Sequence, residues 1–370
     1  MPEFIPLRVA LAPAAIDTQS GHSEKPHEAP ARTEAPVDAV LAPLRVLLAR
    51  LDATLAAERL GAVPTPAERA AIEHPLWTGV RCIDALLTIG RGARLGIFGE
   101  PGAGKSTLLE TIVRGTNADV VALGLIGERG REAQRWLAAR DPRTTVICAT
   151  SDRSARERVH AAEFLFAHAD ALARRGLHVL VVLDSLARTA YALREIAVGR
   201  GESVGRGGYP PSVFAQLARL VERAGCFHGG SITLLATVLH DGDERDPVSE
   251  AARSLLDGHV QLSSRLAQAG RFPAIDVLAS ASRTMGEVVH ERHGRAAAAV
   301  RAALARLEGC AEARALGIEP VDPATRAAVA AEGAIERLLR HGNQPSDPTA
   351  TLEQLCEIAD TLGVTYGHQC

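Results

Sequence analysis

From Trp77 onward, short runs of β-branched and aliphatic residues alternate with longer amphipathic segments, a pattern that predicts a mainly parallel α/β sheet. The predicted strands are 94–98, 120–126, 144–149, 178–183, 231–238 and 260–262. The predicted helices are 107–113, 132–139, 155–174, 212–224 and 249–256. After about Gly286 the strand pattern stops. The segments 295–307, 323–340 and 351–362 are rich in alanine and leucine, which favour helix, and Pro320, Pro323, Pro345 and Pro348 punctuate them.

The first part of the chain reads differently. Residues 1–37 are rich in Ala, Pro, Glu and His and lack periodic apolar positions, so they cannot bury enough surface to offset the entropy of ordering. They are expected to form a disordered tail. Next, Val40, Leu41, Leu44, Leu47, Leu48, Leu51 and Leu55 recur at helical spacing, with Arg45, Arg50, Asp52 and Glu58 off the stripe. An amphipathic helix ending at Gly61, Pro64 and Pro66 follows. Its stripe packs either on this protein's own core or on a partner or membrane face.

Composition narrows the class. A chain of 370 residues with 46% hydrophobic content is globular and large enough for a sizeable core. A formal net charge of -3 gives no sign of a nucleic-acid surface. Cys82, Cys148, Cys226, Cys310, Cys356 and Cys370 form no C-x-x-C pair, which suits idle thiols in a reducing compartment. His290 and His293 flank Glu291 near the end of the strand region, and are expected to face solvent rather than ligate metal. No apolar run approaches the roughly 18 to 20 residues that span a bilayer, and the start of the chain is no convincing signal peptide. A cytoplasmic protein is expected.

The candidate chemistry centres on Gly99-Glu100-Pro101-Gly102-Ala103-Gly104-Lys105-Ser106, a G-x-x-x-x-G-K-[ST] loop between a predicted strand and a helix that starts near Thr107. Glycines let successive N–H groups turn around phosphate oxygens, and the helix presents its positive end to the same anions. Lys105 would reach the β and γ phosphates of ATP, and Ser106 would bind Mg2+. Asp184 ends an apolar strand, where a carboxylate either orients water on the magnesium or caps the following helix. Glu128 ends the strand after the P-loop helix. There it is either the carboxylate that polarises the attacking water or a solvated helix start, and spacing alone does not choose.

Several ordered motifs carry a family resemblance. They include Gly127-Glu128-Arg129-Gly130-Arg131-Glu132, Leu183-Asp184-Ser185-Leu186-Ala187-Arg188, Gly208-Tyr209-Pro210-Pro211-Ser212-Val213-Phe214 and Ala279-Ser280-Ala281-Ser282-Arg283. Together they resemble the type III secretion and flagellar export ATPases, densely over 74–285 and loosely beyond. The resemblance implies a RecA-like P-loop NTPase core over 64–290, preceded by the amphipathic helix and linker at 38–63 and followed by a small helical domain at 291–370. It also implies a homohexamer related to rotary ATP synthase catalytic subunits, with ATP between subunits. By the same resemblance Glu128 activates water, Asp184 supports Mg2+, and Arg129 and Arg188 line the γ-phosphate side. Arg283 falls where the family places an arginine finger delivered to the next subunit, the alternative being a structural salt bridge. Phe272 falls where a ring stacks on adenine, the alternative being a core aromatic.

The implied function is ATP hydrolysis that energises protein export, with release and unfolding of substrates and chaperones; the alternatives are a nucleotide-binding structural subunit with little turnover, or a catalytic subunit of another hexameric rotary-type ATPase. Implied partners are a central stalk, a stator-like regulator and export-gate proteins, at a site peripheral to the inner membrane at most. Two departures stand out. The residues before Trp77 lack the strand alternation of the family's N-terminal β-barrel. Glu100-Pro101 also replaces the small residues usual in the loop, where an acid would repel phosphate unless turned outward.

Overall fold

The computed structural model describes residues 8–11 and 61–364, apart from 139–140, 228 and 240–245. The expected helix at 38–60 and most of the expected tail lie outside the described residues.

In chain order the strands are β1 (Arg8–Leu11), β2 (Arg69–Ala70), β3 (Pro75–Leu76), β4 (Ile89–Gly90), β5 (Arg94–Gly99), β6 (Val120–Ile126), β7 (Thr144–Ala149), β8 (His178–Asp184), β9 (Gly225–Phe227), β10 (Ser231–Leu239), β11 (Gly258–Leu262) and β12 (Ile275–Ser282). The α-helices are α1 (Arg81–Leu86), α2 (Lys105–Gly115), α3 (Gly130–Ala138), α4 (Ala155–Ala173), α5 (Leu186–Gly199), α6 (Pro211–Val221), α7 (Pro247–Leu255), α8 (Ser264–Gln268), α9 (Met285–Val288), α10 (Glu291–Ala315), α11 (Pro323–Leu339) and α12 (Pro348–Thr361).

The main sheet runs β1-β7-β6-β8-β10-β5-β11-β12, with β7 to β11 parallel and β1 and β12 antiparallel at the edges. Strands covered on both faces read as nearly continuous apolar runs, and β6 and β8, apolar but for His178 and Asp184 at the ends of β8, are buried throughout. Their side chains alternate between two cores. Val121, Leu123, Leu180 and Val182 face a layer that includes α1, α2 and α10 to α12. Val120, Ala122, Val179 and Val181 face α4 to α7.

The expected strands and helices recur with ends shifted by up to eight residues, most at the C-terminal end of α10. The differences have local causes. Arg8–Leu11, inside the expected tail, pairs antiparallel with β7, whose free edge offers unpaired backbone groups to any extended segment. His293 is not solvent facing: it lies on α10, is 6% exposed, and its ring nitrogen Nε2 bonds the Ala85 carbonyl at 2.8 Å. Helical spacing places it one turn inside the N-cap His290, so it turns onto α1 while Glu291 stays exposed.

The C-terminal helices continue the first core. Val300 of α10, Ile335 of α11 and Leu355 of α12 join the same buried cluster as Leu109 of α2 and Ile97 of β5. Two of these helices open on Asp-Pro: Asp322 accepts from Thr325 N at 2.9 Å and Asp347 from Ala350 N at 2.8 Å, with proline in the first turn, where its missing N–H costs nothing. Among the described residues no helix is long and apolar enough to cross a membrane.

Candidate active site

All the parallel strands point their C-terminal ends to one edge of the sheet, where open α/β folds bind ligands. The loop after β5 lies at that edge. Gly102 and Gly104 adopt φ of +91° and +90°, a region that residues with a Cβ rarely enter. At the loop's entrance a Cβ on Gly99 would come 2.8 Å from Leu262 Cβ, so β5 and β11 can approach only at glycine. Ala103 is buried, Pro101 and Gly102 are exposed, and Lys105 and Ser106 form the first turn of α2, with Thr107 exposed beside them. Glu100 is exposed, and its carboxylate accepts a hydrogen bond from Ser264 Oγ on α8.

Three strand ends converge on Lys105. Its ammonium lies 2.5 Å from Asp184 Oδ1 and 3.8 Å from Glu128 Oε1. Asp184 ends β8, which is separated from β5 by β10, so the two groups meet across about 10 Å of sheet. Thr237 of β10, the strand between β5 and β8, donates to the same Asp184 Oδ1 at 2.6 Å. The Asp184–Ser185 peptide is cis, and Ser185 then caps α5, accepting from Arg188 N at 3.2 Å. That cap places Arg188 in the first turn of α5, where its Nε donates to Glu128 Oε1 at 3.0 Å. Gly127, at φ +74°, lets this happen: a Cβ there would stand 3.0 Å from Arg188 Cβ.

Glu128 and Asp184 are 3% and 2% exposed, so both carboxylates are dry as well as paired. Burial, with the Asp184 charge beside it, raises the Glu128 carboxyl above the usual glutamate range. Lys105 and Arg188 pull it back only in part.

On the other side of α2, Thr107, Leu108, Phe272, Pro273, His341 and Asn343 line a cavity of about 290 Å³. Phe272 is 49% exposed, and two atoms of its ring lie 3.6 Å from where a Gly104 Cβ would sit. An apolar slot with an aromatic wall, sharing Gly104 with the phosphate loop, has the chemistry of a base site.

Sequence reasoning brought together Lys105, Glu128, Asp184 and Arg188, and the structure does the same. Arg129 is exposed just before α3. Arg283 is exposed at the opposite edge of the sheet. Its N–H donates to Asp257 O at 2.9 Å, beside the start of β5, so the length of β5 separates it from the chain's own phosphate loop. Thr237, His341 and Asn343 were missed. Thr237 looks like any strand threonine, and the His341 loop is far from the P-loop in sequence.

The donors suit a magnesium nucleotide. The oxygens of Ser106, Asp184, Glu128 and Thr237 are hard ligands, and among the described residues no group of three or more His, Cys, Asp or Glu side chains forms a metal cage. That fits Mg2+, which is held by few protein oxygens together with phosphates and water.

Residues 79–282 match the ATP synthase alpha/beta family, nucleotide-binding domain. The chain is 46% identical over 302 residues to the type 3 secretion system ATPase of Sinorhizobium fredii, covering 80% of this chain and 66% of that one. It is 44% identical to the type 3 secretion system ATPase of Pseudomonas syringae pv. syringae, covering 80% and 68%. It is 50% identical to the flagellum-specific ATP synthase of Salmonella typhimurium, covering 62% and 52%. The chain thus spans from about half to two thirds of these relatives' length. Among solved structures, the assembled ATPase EscN of the enteropathogenic E. coli type III secretion system superimposes with a TM-score of 0.78 at 39% identity, covering 81% of this chain and 74% of that one. A prototypical ATPase from the type III secretion system of pathogenic bacteria gives 0.76 at 40%, covering 80% and 88%.

Proposed function

The chain belongs to the ATP synthase alpha/beta nucleotide-binding family, and from that premise we propose that it hydrolyses ATP to energise protein export by a type III secretion apparatus. The observation that carries the reading is the buried Lys105–Asp184–Glu128 cluster, joined by the half-buried Arg188, at the mouth of a glycine loop.

The residues act as follows. The loop amides and Lys105 would hold the phosphates, and Ser106 and Asp184 would hold Mg2+, with Thr237 fixing Asp184. When bound, the metal neutralises charge on the β and γ phosphates. Glu128, held by Arg188, accepts a proton from the attacking water as the bond between the γ-phosphorus and the bridging oxygen breaks, giving ADP and inorganic phosphate. Its raised carboxyl makes it a stronger base than an exposed glutamate, with Lys105 and then Arg188 pulling it back in part. Phe272 stacks on adenine, and Arg129 lines the γ-phosphate side.

Arg283 stands a strand's length, roughly 17 Å, from its own loop, which supports delivery to a neighbouring subunit's nucleotide in a homohexamer. A guanidinium supplied in trans contributes about a thousandfold or more in comparable enzymes. A relative's solved complex contains its central stalk, and this chain is proposed to turn against the same kind of partner, with stator-like, export-gate and substrate contacts beyond it, at the cytoplasmic face of the inner membrane.

Glu128→Gln tests the reading. Wild-type turnover should exceed the variant's by a hundredfold or more, as expected for loss of a positioned base (about 10²–10⁴). Equal rates would leave only a nucleotide-binding subunit.

A further inference from the structure

The segment 262–273 straddles the phosphate loop. At its start Leu262 packs against Gly99, and Ser264 Oγ donates to Glu100 Oε2. At its end the Phe272 ring lies over Gly104. The outer side of the same segment is gripped by the end of α11. Arg340 Nη1 donates to Gly270 O at 3.4 Å, His341 N to Phe272 O at 2.9 Å, and Arg271 Nη1 lies 3.5 Å from Glu336 Oε1. The base-side loop is therefore suspended between α11 and the P-loop, and Glu100–Ser264 is a side-chain hydrogen bond on the P-loop side.

Exposure to solvent explains why an acid is tolerated here. A carboxylate among phosphate-binding amides opposes polyphosphate by like-charge repulsion. Glu100 is exposed, so water and salt screen its charge from the phosphates whether or not Ser264 holds it, and its bond to the α8 hydroxyl ties the loop to its neighbour.

We propose that Glu100 and Ser264 form a tether that positions the Phe272 loop, so that they set affinity for the base of the nucleotide rather than for its phosphates. The proposal rests on reading the Phe272 cavity as the base site. Without the tether the loop keeps its strand ends and its α11 contacts but loses its side-chain bond to the P-loop, and Phe272 loses its fixed stance over Gly104. Lys105, Ser106 and the loop amides keep their places, so the phosphate grip stays.

The test compares ATP with inorganic tripolyphosphate, which has the phosphates but no base, by titration calorimetry on the full chain, with steady-state kinetics alongside. Ser264→Ala should weaken ATP binding by about two- to tenfold, the range of one exposed hydrogen bond, with tripolyphosphate binding unchanged. The kinetic loss should appear in KM more than in kcat. Ser264→Thr, which keeps the hydroxyl, should restore ATP affinity.

Equal ATP affinity in wild type and Ser264→Ala overturns the tether and leaves the nucleotide site standing. Parallel weakening of ATP and tripolyphosphate also overturns it, because the phosphate loop would then be what the bond supports. A wild-type chain that binds neither ligand overturns the site reading, and the tether with it.

Discussion

The ammonium of Lys105 and the carboxylate of Asp184 meet at 2.5 Å although β5, which leads into the Lys105 loop, and β8 are not neighbours in the sheet. Lys105 reaches sideways from the first turn of α2, and Thr237 on the intervening strand β10 completes the bridge. The contact fixes both the phosphate-binding charge and the carboxylate proposed for magnesium, before any nucleotide binds.

Thr237→Val keeps the shape of β10 and removes the donor to Asp184. A buried carboxylate that loses a hydrogen bond of this kind is destabilised by about 1.5–3 kcal/mol, so kcat/KM for ATP should fall about tenfold or more. Circular dichroism should remain that of the wild type.

The acidic limb of the pH–rate profile should lie above the range of an ordinary glutamate, because burial and then the Asp184 charge raise Glu128, and activity requires its ionised form. Arg188 lowers that value. Arg188→Ala should therefore move the limb to still higher pH, on top of any loss in rate. A limb that stays in place or moves down in the variant would contradict the coupling read from the 3.0 Å contact.

Much of this site was legible in the sequence because P-loop chemistry is local: glycine, lysine and serine must be consecutive for the amides and the ammonium to reach one phosphate chain. Glu128 and Asp184 were found because each ends an apolar strand. The sequence patterns of α5 and β12 were weaker. Leu186, Ala187 and Ala190 begin a helix directly after Asp184, with no loop to mark it, and β12 mixes small residues such as Ala279 and Ser280 into its alternation. The Asp-Pro starts of α11 and α12 were a usable signal, read only as punctuation. The contact between His341 and Phe272 is tertiary and leaves no sequence trace.

His178 predicts how stability depends on pH. Burial, with the Arg91 charge adding to it, pushes its imidazole down to about 3, and its Nε2 lies 3.0 Å from Thr233 Oγ1. The unfolded chain binds the proton more readily, so the stabilisation is fully present above about pH 6.5 and is lost progressively as pH falls toward 3. His178→Gln, which retains a partner for Thr233, should flatten the decline in thermal midpoint between pH 6.5 and 5. An unchanged slope would show that other groups cause it.

Leu355 of α12 is fully buried in the cluster that also holds Leu109 and Ile97. Leu355→Ala should cost about 2–5 kcal/mol. Because the C-terminal helices share that core, the denaturant midpoint reported by Trp77, far from α12 in sequence, should fall with it. A Trp77 transition that does not move would mean that the helices unfold by themselves.

The most direct measurement is steady-state ATP hydrolysis against protein concentration, with molar mass followed by light scattering and Arg283→Ala as the paired variant. Specific activity that rises as the chain assembles, and falls about a thousandfold in the variant at equal mass, is the predicted result. Activity independent of assembly, or unaffected by loss of Arg283, would contradict an ATPase whose site is completed by the next subunit.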